Sequence, residues 1–81
     1  MKTLVNFGRE RCGACMRLDA YLKNEHSNIS VEEGHVNDVG NYGIQVQGAP
    51  VLAIVKDGQI EDFTVGFNPS AVAELIKEFK K

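Results

Sequence analysis

At 81 residues, 43% of them apolar, the chain is sized for one domain spanning residues 1–81, with enough core to fold without disulfide or metal staples. A net charge of −2 excludes the polybasic signature of nucleic-acid binders, and no apolar run is long enough for a signal peptide or a membrane span. The expectation is a monomeric cytoplasmic domain with no nucleic-acid or membrane partner, in a compartment where paired cysteines are catalytic more often than structural.

Thr3–Phe7 is rich in β-formers and reads as a first strand, followed by a polar loop at Gly8–Arg11. From Cys12 to Asn24, the apolar residues Cys15, Leu18, Tyr21 and Leu22 recur at helical spacing, with Arg17, Lys23 and Asn24 turned outward. Polar residues around Glu25–Asn28 end that helix. A second strand is expected within Ile29–Val36, with Val31 facing inward and Gly34 marking a bulge or the strand end. Gly40 and Gly43 weaken any helix in Asn37–Gln47, so one short, imperfect helical turn is expected there. Val51–Val55 is a continuous apolar run, typical of a strand buried on both faces. Asp57-Gly58 signals a hairpin turn, and Gln59–Val65 returns as its partner strand. Asn68-Pro69 caps and opens a last helix with Val72, Leu75, Ile76 and Phe79 as its apolar stripe. Lys77, Lys80 and Lys81 at its end suit the helix dipole. The order β-α-β-α-β-β-α makes an α/β sandwich on a small mixed sheet.

The chemistry lies in Cys12-Gly13-Ala14-Cys15, which holds the only two cysteines. A helical separation of three residues puts their Cα atoms about one turn apart, inside the roughly 4.4–6.8 Å that a disulfide needs. The pair can therefore open and close without rearranging the chain. A thiol of pKa ~8.5 becomes a nucleophile once ionised, and a helix N-terminus or nearby cations bring that value down to about 3.5–7.5. Cys12 stands where the helix starts, so unpaired backbone N–H groups and the positive dipole end face its sulfur. Arg9, Arg11 and Arg17 all fall near the pair in sequence. They are either pKa-tuning charges or solvated surface charges, screened over roughly 10 Å at ordinary salt. Cys15, one turn further in, is expected to be the less accessible, resolving sulfur, with Cys12 the attacking one. A single C-x-x-C is also half of a zinc site. His26 and His35 are the other available ligands, but their spacing does not fit the usual finger pattern, and both read more simply as loop or strand-end residues.

The chain resembles the thioredoxin family over nearly its whole length. Asn6-Phe7 followed by Cys12-Gly13-Ala14-Cys15 looks like the active strand and redox motif of thioredoxins, and Tyr42-Gly43-Ile44 with Gly48-Ala49-Pro50-Val51 like the approach to their cis-proline. Lys56-Asp57-Gly58 resembles the family hairpin, and Val65-Gly66-Phe67 the glycine loop of the substrate groove. The length is closer to glutaredoxin-sized members, so the resemblance is to a minimal thioredoxin. It implies a thioredoxin-like fold, a four-stranded mixed sheet with helices on both faces. It implies Cys12 and Cys15 as catalytic residues and Pro50 as the cis-proline beside them, although a plain strand-opening proline is the alternative. Ala49 then offers backbone hydrogen bonds to an extended substrate. Gly66 and Phe67 form a third wall of the groove, unless Phe67 is a core residue.

Departures from the family are expected to matter. Arg11 replaces the usual tryptophan before the first cysteine, which shifts substrate preference toward acidic segments. Ala14 replaces proline and restores a backbone N–H that can bond near Cys12, making the disulfide modestly more oxidising. Asn6 replaces a buried aspartate that helps deprotonate the second cysteine; it keeps the shape but does not titrate.

The activity implied is protein-disulfide reduction by a thioredoxin-like electron carrier. It binds no cofactor, works through a redox-active Cys12–Cys15 disulfide, and is recharged by NADPH through a thioredoxin reductase. Glutathione is the alternative reductant, and a redox-sensing module without turnover is the alternative class. The Ala14 substitution also leans toward a disulfide isomerase or oxidase.

Overall fold

The computed structural model describes residues 1–81. In chain order it contains β1 (Lys2–Gly8), α1 (Gly13–Glu25), β2 (Val31–His35), a 3₁₀ helix (Val36–Tyr42), β3 (Val51–Lys56), β4 (Gln59–Val65) and α2 (Pro69–Phe79). The strands form one mixed sheet in the order β2-β1-β3-β4, with β2 parallel to β1 and the other neighbours antiparallel. β3 takes a central place because Val51–Ile54 is apolar on both faces, and all four residues are buried.

Alternation along β1 divides its side chains between two cores. Leu4 joins Leu52 and Ile54 of β3, Leu18 and Leu22 of α1, and Val72, Leu75 and Ile76 of α2. Val5 and Phe7 join Val51 and Ala53 beneath Val39 of the 3₁₀ helix. The sheet is thus covered by α1 and α2 on one face and the 3₁₀ helix on the other. The latter is the imperfect turn that Gly40 and Gly43 foretell; it ends at Gly43, with φ of 92°.

Turn chemistry fixes the remaining joints. Asp57 and Gly58 both have positive φ, 54° and 77°, as a tight hairpin matching the strand twist requires. Asn68 caps α2 by accepting hydrogen bonds from the N–H groups of Ser70 and Ala71, with Pro69 opening the helix.

Gly34 departs from expectation. It marks neither a bulge nor a strand end, because the β1–β2 register runs unbroken through Phe7–Gly34 to Gly8–His35. Its role is steric: a Cβ placed there meets Cδ1 of Phe7 at 2.8 Å and Cε1 at 3.0 Å. The buried Phe7 ring occupies the place of a side chain. Gly34→Ala is therefore expected to destabilise the fold by about 1–3 kcal/mol, the usual cost of overpacking. Urea unfolding checks this, and an unchanged midpoint contradicts it.

Candidate active site

The redox pair is built by the end of β1 and the start of α1. Arg11, with φ of 55°, turns the chain in a left-handed conformation immediately before Cys12. Cys12 is then the N-cap of α1, and its Sγ accepts a hydrogen bond of 3.1 Å from the Cys15 N–H. Cys12 and Cys15 are joined as a disulfide, with Cα atoms 5.2 Å apart. The first turn of α1 contains no acidic residue, so nothing on that turn offsets the positive end of the dipole at the Cys12 sulfur.

Two expectations about the pair are corrected. Cys12 is the more covered residue, 7% exposed, whereas Cys15 is half-buried. Cys12 is folded against the helix end as its cap, while Cys15 on the first turn keeps more of its surface open. An attacking role for Cys12 is therefore supported by its N-cap hydrogen bond and not by exposure. The donor to its sulfur is also Cys15 N–H; the N–H that Ala14 regains makes no hydrogen bond to it.

A cavity of about 410 Å³ opens beside the disulfide. Of the residues singled out in the sequence, Asn6, Arg9, Arg11, Cys12 and Cys15 line it. Gly13 and Ala14 do not, and Arg17 points elsewhere: its Nη1 is 3.4 Å from the place a Gly13 Cβ would take. The cavity also contains His35, weighed in the sequence as a zinc ligand or strand-end residue, and residues that motif reading passed over, chiefly Glu10, Asp19 and Glu33. The cavity's arginines, Arg9 and Arg11, come from the loop before Cys12 with Glu10 between them, and Asp19 and Glu33 add two further carboxylates. Glu10 contacts His35 at 3.2 Å, and a backbone hydrogen bond followed by this histidine holds its carboxyl below the usual range. Asp19 pairs with Lys23 at 3.0 Å, which raises the lysine. Glu33 is raised, first by desolvation and then by the charge of Asp19. The β1–β2 register, which sets Glu33 beside Asn6, brings Glu33 and His35 to this cavity, whereas Asp19 stands one turn of α1 beyond Cys15.

Asn6 is 4% exposed, and its Oδ1 has no hydrogen-bond partner in the protein. The second group of predicted residues lies apart from the cavity lining. The Ala49–Pro50 peptide is cis, Pro50 is buried, and its carbonyl accepts a hydrogen bond of 2.8 Å from Gly66 N–H. Ala49 makes no backbone hydrogen bond within the protein. Phe67 packs against the α1–α2 core, its ring centroid 5.6 Å from that of Tyr21. Met16, directly after the disulfide, is 73% exposed.

No protein-family model matches the sequence, and no curated protein does. Solved structures do. A Plasmodium falciparum thioredoxin superposes with a TM-score of 0.72 at 22% identity, over 96% of this chain and 81% of that one. Oxidised mitochondrial thioredoxin 3 of Saccharomyces cerevisiae gives 0.71 at 24% identity, over 95% and 77%. A mutant thioredoxin from Halobacterium salinarum gives 0.71 at 25% identity, over 99% and 75%. By this agreement of structure, the chain has the thioredoxin-like fold, with a C-x-x-C disulfide at the start of its first helix.

Proposed function

We propose that the protein is a thiol–disulfide oxidoreductase that reduces disulfides in protein substrates. The observation that carries this reading is the cap of α1, where Cys12 Sγ receives a backbone N–H at 3.1 Å at the positive end of the helix. A hydrogen bond and a dipole directed at the sulfur favour its thiolate over its thiol. In the reduced protein that thiolate attacks a substrate disulfide, forming a mixed disulfide and releasing one substrate thiolate. Cys15 then attacks the Cys12 sulfur, closing the Cys12–Cys15 bond and releasing the second. Two electrons pass from the pair to the substrate.

Arg9 and Arg11 beside Cys12 favour substrate segments with acidic residues, and the free backbone of Ala49 offers an edge to an extended chain. We place this cycle in the cytoplasm, with the protein acting as a monomer and recharged by NADPH through a thioredoxin reductase. A coupled insulin-reduction assay tests the proposal. NADPH is expected to be consumed with thioredoxin reductase, and more slowly with glutathione and glutathione reductase. If neither system reduces insulin through this protein, the reading fails.

A further inference from the structure

We propose that Glu33 is the proton acceptor for the Cys15 thiol in the resolving step, working through water in the cavity it shares with Asn6. The inference rests on the dithiol cycle proposed above and supplies a part that cycle needs. Cys15 is nucleophilic only as a thiolate, yet it lies inside α1 and lacks the N-cap position that favours ionisation of Cys12.

Three observations single out Glu33. First, parallel pairing sets Glu33 of β2 beside Asn6 of β1, so both project toward the α1 side of the sheet, where Cys15 lies. Second, it is the one carboxylate lining this cavity without a side-chain partner. Asp19 is held by Lys23 at 3.0 Å, and Glu10 by His35 at 3.2 Å. Third, the buried Oδ1 of Asn6 lacks a protein donor, so it can accept from the Cys15 S–H of the reduced protein or from a water linking that thiol to Glu33. The cavity has the polar lining and the volume to hold such waters.

The charges around Glu33 agree with the role. Asp19 and Lys23 face it from α1, and Arg9, Glu10 and Arg11 share the cavity from the loop before Cys12. His35 follows on β2 itself, and His26 stands at the C-terminus of α1 in an adjoining cavity. Desolvation and the Asp19 charge raise the Glu33 carboxyl, outweighing Lys23, and a raised carboxylate is a better match to a thiol. In the step, the Cys15 S–H proton passes through water to the Glu33 carboxylate as the Cys15 sulfur bonds to Cys12. The Cys12–substrate S–S bond breaks, its electron pair leaves on the substrate sulfur, and Glu33 afterwards returns the proton to solvent.

The test follows reduced protein with dithiobis-nitrobenzoate in a stopped-flow instrument. The first thionitrobenzoate released reports attack by Cys12, and the second reports resolution by Cys15. In Glu33→Gln the second phase is expected to slow about tenfold near pH 6, less than the hundredfold of a direct base because water relays the proton. It rejoins the wild type above about pH 9, where the thiol ionises unaided. A second phase that is unchanged, faster, or slowed equally at every pH overturns the assignment. Loss of the second phase in the wild type overturns the dithiol cycle itself, so the two failures are distinguishable.

Discussion

Cys12→Ser is expected to lower disulfide reduction by on the order of 10³-fold or more, because it removes the atom that forms the covalent intermediate. Cys15→Ser is expected to stop the cycle one step later. Attack still occurs, the mixed disulfide is not resolved, and the variant accumulates as a covalent adduct with its substrate. Mass spectrometry under non-reducing conditions separates the two outcomes. The comparison is informative because Cys12, at 7% exposed, is the more covered of the pair. If accessibility governed the order of attack, the adduct would form on Cys15 and appear in the Cys12 variant. If the N-cap hydrogen bond to Cys12 governs it, the adduct forms on Cys12 alone.

Phe7→Ala is expected to have the largest effect on stability. The ring is 1% exposed, lies 5.4 Å from Tyr42 centroid to centroid, and fills the space above Gly34. Truncating a buried phenylalanine costs about 3–5 kcal/mol. A small domain has only about 5–15 kcal/mol in all, so the variant is expected to be partly unfolded at moderate urea. Its neighbour Asn6 loses a fixed strand at the same time, so the site should loosen together with the core. A urea midpoint within error of the wild type contradicts this account of the second core.

Most of the fold was legible in the sequence because each element carries its own period and punctuation. The helical stripe Leu18–Leu22, the apolar run Val51–Val55, the Asp57-Gly58 turn and the Asn68-Pro69 cap all depend on neighbours along the chain, and all stand where expected. Gly34 was misread because its reason is the Phe7 ring on another strand, which no local pattern reveals. The site divides in the same way. Cys12, Cys15 and their arginines are adjacent in sequence, and Asp19 follows Cys15 by one turn of α1, but Glu33 and His35 reach the cavity only through the parallel β1–β2 register. The relative cover of the two cysteines depends on how the cap folds over the helix end, and spacing does not encode that.

The reduction potential of the Cys12–Cys15 pair tests the central claim most directly, because it decides whether the protein gives electrons or takes them. Equilibration with glutathione of known poise, read by quenched alkylation, measures it. The result expected for a reductant is a value between the about −270 mV of thioredoxins and the about −200 to −230 mV of glutaredoxins. A value near the −120 mV of a strong disulfide-forming oxidant contradicts the account.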